Sequence, residues 1–355
     1  MKSIFRVCQK GFRIFGLVLL VAAAGLQNTQ AEEKEIEVGK WYPTLESGIT
    51  MTQSSYSDNW SGGDEGSIVW TFITNATLEN QLNPKTNWNN ELKLAYGQTL
   101  QQSMRDNGEK KWDRPEKSTD LLSFETIFRF TMGWAVDPFI SGRFESQFQD
   151  ASDPCGRTLA LNPLKFKESV GFARHFINEE ERSLLSRFGF ALRQNSRKLF
   201  VQACSNAPSL SNETKSETSM DGGIEWVTDY NTKILENRVS WTSKLTLYQP
   251  IFYSGNDKFD DLSVEMLEAA GLASDIGDFT TVIDADWENV FTTQITKLIS
   301  VNLYMRWIYD KYDNSVPPVL TDDGGLKNPA DIKAAVRKSG QFKETLALGL
   351  TYRFF

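Results

Sequence analysis

The sequence predicts an all-β protein: an up-and-down antiparallel transmembrane barrel of about twelve strands, with long extracellular loops carrying short helices. Three observations predict it. The chain begins with an export signal, its body alternates apolar and polar residues with a period of two, and its connections alternate short and long.

The export signal is read from the first 31 residues. Lys2, Arg6, Lys10 and Arg13 form a positive n-region, Phe15 to Ala24 an apolar run, and Thr29-Gln30-Ala31 a small-residue cleavage site. The run is too short for a comfortable membrane helix. Removing four positive charges and no acid takes the formal net charge from −8 to about −12. With a pI near 5.0, the chain lacks the basic face that nucleic-acid binding needs. The expected division is a signal peptide over 1–31, a periplasmic N-terminal segment over 32–45 and a barrel over 46–355.

Composition points the same way. Mean hydropathy is −0.39, yet aromatic residues make up 12% of the chain and include ten Trp. A barrel in lipid accommodates both: an apolar outer band with aromatic girdles, and a polar lumen that lowers the average.

The strands follow from the alternation. Trp88, Leu92, Leu94 and Tyr96 share one face, with Asn89, Glu91, Lys93, Gly97 and Thr99 on the other. Phe124, Phe128, Phe130, Met132 and Trp134 oppose Ser123, Glu125, Arg129, Thr131 and Gly133. Ile299, Val301, Leu303, Met305 and Trp307 oppose Ser300, Asn302, Tyr304 and Arg306. Applied throughout, the pattern gives strands starting near residues 46, 66, 86, 118, 139, 164, 182, 221, 236, 277, 294 and 341. The strand near residue 46 is expected to pair with the last and close the barrel.

Short connections are expected at Asn83-Pro-Lys-Thr86, Asp137-Pro138, Asn178 to Glu181, around Leu235, and at Phe291-Thr-Thr. Long ones cover about 57–66, 104–118, 151–164, 195–221, 253–276 and 310–341. Outer-membrane barrels have short periplasmic turns and long outer loops, so both termini fall on the periplasmic side. Two outer loops carry helix signals. Asn328-Pro-Ala-Asp331 supplies a cap residue and Pro at the first helical position, and Ser263 to Ala270 is a second candidate.

Several groups bear on chemistry. The lumen-facing candidates are Glu91, Lys93, Glu125, Arg129, Arg143, Glu145, Arg187, Glu225, Lys244, Asp284, Asp286, Glu288 and Arg306. Arg193 and Arg238 are further counter-charges. Asp284, Asp286 and Glu288 lie on one strand face, each about 6–7 Å from the next. They are either a cation-attracting stripe in a pore or the partners of neighbouring cations. The expected pairs are Lys244 with Asp286 and Glu225, and Arg129 with Glu145. Since buried charges must be paired or wet, a filled, salt-bridged lumen and an open channel both stand.

The one histidine, His175, is expected in the lumen beside Gly171 and Ala173. A hydrolase on this architecture, like the twelve-stranded outer-membrane phospholipase, would need a serine next to it, and Ser169 is too far along the strand. One histidine and no Cys-x-x-Cys leave no zinc signature. Asp257, Asp260 and Asp261 lack calcium-loop spacing and read as a solvated acidic loop. No catalytic residue, metal or cofactor is therefore expected. Cys8 lies within the signal, ahead of the apolar run, where no lipid anchor would form. Cys155 and Cys204 fall in outer loops of neighbouring hairpins and are expected to pair in an oxidising compartment.

Three short motifs recur in an order that resembles a known family. They are Asn59-Trp60-Ser61-Gly62-Gly63 with Ser67 beyond it, Trp88-x-Asn90-x-Leu92-x-x-x-Tyr96-Gly97, and Lys117-Ser-Thr-Asp120-Leu121. Together they resemble domain-of-unknown-function family 3078, exported proteins of Bacteroidetes-type bacteria, over roughly the first third of the mature chain. The resemblance implies an outer-membrane protein of the Gram-negative envelope and supplies no activity. The C-terminus resembles an outer-membrane assembly signal. Leu346, Leu348, Leu350, Tyr352 and Phe354 share one face, with Phe355 one residue out of phase.

The expected partners are outer-membrane lipid and, through the last strand, the assembly machinery; an extracellular partner is not specified. Three functional readings remain. They are a porin-like channel for small polar solutes, a plugged barrel that presents its outer loops to a partner and, more distantly, an outer-membrane hydrolase.

Overall fold

The structure is a computed structural model and describes residues 37–54, 66–105, 109–179, 181–202, 210–321 and 324–353. The expected signal peptide, Cys8, Cys204, the motif Asn59 to Gly63, and Phe354 and Phe355 lie outside the described residues.

Twelve long strands form one closed antiparallel meander. They are β1 (Trp41–Ser54), β2 (Ser67–Asn83), β3 (Thr86–Met104), β4 (Glu116–Arg129), β5 (Asp137–Ser146) and β6 (Leu164–Asn178), followed by β7 (Arg182–Phe200), β8 (Thr214–Ile234), β9 (Val239–Tyr253), β10 (Asp284–Gln294), β11 (Ile299–Tyr309) and β12 (Gln341–Arg353). Each pairs with the next in sequence, and β1 pairs with β12. The closing seam runs from Glu46 opposite Arg353 to Thr50 opposite Gly349. Among the described residues it is shorter than the β1–β2 ladder, which runs from Trp41 to Ser54. Closure leaves every long strand with two neighbours, the condition for crossing a bilayer without orphaned backbone groups.

The alternation sorts side chains by face. Outward residues include Ile49, Phe72, Phe124, Ile140, Val170, Phe188, Ile224, Trp287, Trp307 and Leu348, all large, apolar and exposed. An apolar band of this extent would be unstable in water and is stable against acyl chains. Aromatic clusters flank it. Near the turn end, Trp41 meets Trp88, which stacks on Phe128, and Tyr230 meets Trp241, which stacks on Phe291. Near the loop end, Trp70, Tyr96 and Phe148 form a third group. Val170, at mid-strand and 59% exposed, tests the assignment. Val170→Arg is expected to cost about 2–4 kcal/mol of stability in lipid vesicles. Equilibrium urea unfolding would show no change if that face were aqueous.

Several expected boundaries are corrected. β1 begins at Trp41, so the segment expected to precede the barrel is partly inside it. Pro43 obscures this, because proline cannot donate to a ladder. Here, among the described residues, Pro43 pairs with β2 alone, below the level where β12 joins. β8 begins at Thr214 rather than near 221, since it stays paired with β7 up to Phe200. The start expected near 277 is helical, and β10 begins at Asp284. The turn expected at Phe291-Thr-Thr is strand. Thr292 bonds to Asn302 across the ladder, and the chain reverses over 295–298, where Thr296 Oγ1 accepts from the backbone of Leu298 and Ile299. The Asp137-Pro138 pair opens β5, and its turn covers 130–136.

At the loop end, two long connections build a lid. The β9–β10 connection carries α1 (Asn256–Asp260), α2 (Val264–Ala269) and α3 (Ile276–Phe279), and the β11–β12 connection carries α4 (Pro329–Ala335). The two expected helices are present: Ser263 caps α2 by accepting from Met266 N, and Pro329 opens α4. The lid has its own apolar core of Phe259, Leu262, Leu267, Leu272, Ile276, Tyr312, Ile332 and Ala335, closed onto Tyr253 at the top of β9. Backbone bonds from Asp313 to Ala335 and from Arg337 to Lys311 tie the second connection to itself.

Candidate functional site: a divided lumen

The inward faces enclose two polar cavities, stacked along the barrel axis. The lower one, of ≈ 790 Å³, reaches the turn-end residues Gln81, Asn178 and Glu179. The upper one, of ≈ 260 Å³, lies beneath the lid, and Asp310, Asp313, Asn314 and Ser315 help to line it. Of the thirteen lumen candidates, Glu91, Lys93, Glu125, Arg129, Arg187, Lys244 and Glu288 line the lower cavity. Arg143, Glu145, Glu225, Asp284, Asp286 and Arg306 line the upper. Arg238 is instead in an exposed turn beside Glu236.

Between the cavities the lumen is bridged by ion pairs. Glu125, on β4, accepts from Arg187 Nη1 of β7 at 3.1 Å and from Lys244 Nζ of β9 at 3.2 Å. β4 and β9 are five strands apart in a ring of twelve, so Lys244 and Glu125 meet almost across the barrel's diameter. Asp229 adds a second carboxylate, 3.4 Å from Arg187 Nη2 and 3.9 Å from Lys244 Nζ. Lys167 of β6 binds Glu225 of β8 over the intervening strand. Backbone geometry leaves room for this. Gly189 lies opposite Glu225 on one side and Gly171 on the other. A Cβ at Gly171 would come within 2.2 Å of the Phe188 carbonyl oxygen. Side chains are thus excluded from this stretch of wall, and long cations reach over it.

Around the upper cavity, Arg193 bridges Asp221 at 2.6 Å and Asp284 at 2.8 Å, with its guanidinium 3.8 Å from the centre of the Tyr248 ring. Arg306 grips both oxygens of Asp286, at 2.8 and 2.7 Å. Tyr304 donates to Glu288 at 3.0 Å.

The expected charge pairs are therefore corrected. Lys244 stands opposite Glu288 in the ladder and bonds to Glu125 and Asp229, not to Asp286 or Glu225. Arg129 lies 3.8 Å from Asp137, while Glu145 pairs with Arg143 at 2.8 Å. Two causes account for the Lys244 difference: the ladders place Asp229 and Glu288 opposite it rather than the expected Glu225 and Asp286, and the Glu125 contact crosses the lumen, which strand neighbourhood does not encode. Lys167, Asp221 and Asp229 were not among the candidates, although the same alternation places them inward. Asp310, Asp313 and Asn314 carry no periodic signal, because a loop brings them into the mouth. Ser219 Oγ donates to Asn314 O at 2.6 Å, and Asn314 Nδ2 donates to Thr280 O at 3.1 Å, joining barrel wall, inner loop and lid.

Asp310 is the first residue beyond β11. Burial, reinforced by Asp284 and Asp313, pushes its carboxyl up to about 8 against the pull of Arg193 and Arg337. The folded lid thus keeps a proton that the unfolded segment loses near its ordinary value of 3.8. Lid stability is expected to fall as pH rises between about 4 and 8 and to level off above. Asp310→Asn should flatten that decline. Limited proteolysis of the 310–340 segment across this range is the check, and a wild-type rate independent of pH would contradict it.

His175 lines the lower cavity; its Nδ1 and Ser169 Oγ have no hydrogen-bond partner. Among the described residues, no three His, Cys, Asp or Glu side chains are arranged to hold a metal ion. Cys155 is disulfide-bonded.

The two described motifs of the first third act in the wall and loops rather than in the lumen. Trp88 Nε1 donates to Thr126 Oγ1 at 2.9 Å, and Thr126 donates to Asn90 at 2.8 Å, locking β3 to β4. The Asp120 carboxylate accepts from the backbone of Phe148 and Gln149 at 2.7 and 2.9 Å and from Lys117 at 3.2 Å, anchoring the connection after β5.

The chain is similar in fold to solved outer-membrane barrels. One is the COG4313 outer membrane channel from Pseudomonas putida F1, at 10% identity and a TM-score of 0.34, covering 92% of this chain and 99% of that one. Another is the translocator domain of the autotransporter NalP from Neisseria meningitidis, at 8% identity and a TM-score of 0.34, covering 97% and 96%. No curated protein sequence matches. Residues 51–151, from the top of β1 to the connection beyond β5, match the model of the family described as Protein of unknown function (DUF3078).

Proposed function

We propose that this protein is an outer-membrane channel for small polar solutes, held shut at mid-height by its ion-pair septum and covered on the outside by its lid. The observation that carries this reading is the Lys244–Glu125 bridge between near-opposite walls, with a polar cavity on either side. The septum is made of side chains alone, and Lys244 and Lys167 are flexible enough to swing aside without moving a strand. Single-channel recordings in planar bilayers test it. The wild type should open rarely and with small conductance. A double variant, Lys244→Ala with Glu125→Ala, removes both ends of the bridge and should raise the conductance severalfold. Silence from both folded proteins would overturn the channel reading.

A second reading is favoured by the lid, which has a packed core of its own rather than loose loops. It is a plugged barrel that presents its outer loops to an extracellular partner. Silent bilayers would select it.

A further inference from the structure

The upper cavity is deficient in hydrogen-bond donors at three defined atoms. Asp221 Oδ2, Asp310 Oδ1 and Asn314 Oδ1 are buried and have no partner. All three residues line the cavity. Asp221 is completely buried and Asn314 is 6% exposed. Asp221 comes from β8, Asp310 from the end of β11 and Asn314 from the loop folded into the mouth. The remaining polar atoms fix their orientation. Asp221 Oδ1 already accepts from Arg193 and Tyr248, and Asn314 Nδ2 is committed to Thr280 O. The Asn314 oxygen is thereby held as an acceptor. Buried acceptors left without donors are costly, and three around one cavity call for a donor-rich occupant.

Charge agrees. Seven acidic side chains, the proton-retaining Asp310 among them, line this cavity against five cationic ones. The lower cavity differs in kind, because its unpartnered atoms include donors, Arg129 Nε and Arg187 Nε. The acidic surplus, the one-sided shortage of donors and the elevated proton affinity of Asp310 share one remedy, a cation that brings N–H groups.

We propose that the cavity beneath the lid binds a small organic cation bearing a primary ammonium or guanidinium group, which donates to Asp221, Asp310 and Asn314. Such a ligand delivers several N–H bonds and one or two positive charges in a volume that ≈ 260 Å³ accommodates. A quaternary ammonium carries the charge without the donors. This reading rests on the channel proposal only in making the cation the transported solute; binding itself requires no open pore.

Calorimetric titration of the detergent-folded full chain tests it with three probes: 1,4-diaminobutane, guanidinium and tetramethylammonium. The first two are expected to bind and to compete with each other, with tetramethylammonium at least about tenfold weaker. Asp310→Asn, which keeps shape and removes the acid that a bound cation would hold ionised, should weaken diaminobutane by about tenfold or more. Lack of diaminobutane binding to the wild type would overturn the proposal. So would equal affinity for tetramethylammonium, a comparison that needs no variant, or unchanged affinity in a folded Asp310→Asn protein. Because the titration is blind to conductance, binding with silent bilayers would refute the channel alone, and conductance without binding would refute this site alone.

Discussion

Glu125→Gln is expected to destabilise the barrel by about 3–5 kcal/mol, the cost of breaking a buried ion pair from one side. Glu125 is 7% exposed and Arg187 5% exposed, and both Arg187 and Lys244 direct their charge onto the one carboxylate. Neutralising it leaves two buried cations close together, with only Asp229 to share, at 3.4 and 3.9 Å. Repulsion and lost solvation then add. The double variant Glu125→Gln with Lys244→Met removes one cation along with the anion and should recover a large part of the loss, giving a strong non-additive coupling in the cycle. Equilibrium urea unfolding in lipid vesicles provides the measurement. A Glu125→Gln protein as stable as wild type would mean that water, rather than Glu125, solvates these cations.

Ile332→Ala should act at the other level, on the lid. Ile332 is completely buried between the two long connections. Truncating it removes three buried carbons and opens a cavity that short helices fill poorly, at about 2–5 kcal/mol. The lid is joined to the barrel mainly through the mouth residues Tyr253, Ser219 and Asn314. The loss should therefore appear as local opening: faster proteolysis over 254–283 and 310–340, with barrel unfolding little changed. In bilayers the same variant should open more often than wild type while keeping its unit conductance, because the septum below is untouched. Co-operative loss of lid and barrel together would show that the two fold as one unit.

The two variants correspond to what alternation can and cannot reveal. The inward set, from Glu91 to Arg306, follows from a period of two on a closed sheet, because stepping one residue reverses the face. Partnership within the lumen does not. Lys244 and Glu125 are 119 residues apart and joined only by curvature, which depends on strand tilt and stagger. Alternation alone does not fix register either: Asp229 and Glu288 stand opposite Lys244, rather than the partners expected, Glu225 and Asp286. The lid escaped for another reason. α1 and α3 are only five and four residues long, too short for a helical period to emerge, and the stretch near 277 reads as strand. Asn328-Pro329 and Ser263 were readable because capping chemistry is local.

The seam between β1 and β12 has a mechanical meaning. Five paired residues hold it among those described, from Glu46 to Thr50, while the ladder on the other side of β1 spans fourteen residues. It also joins the two ends of the sequence, whereas every other ladder joins neighbours along the chain. Every hairpin can form locally, but the seam must wait until all the strands are in place, so the ring closes last and at its most widely separated contact. It is also the cheapest line along which to part the wall sideways. A protein that builds its barrel this way resembles a coat fastened by a short row of buttons: all its cloth is strong, and what decides whether it opens is the row.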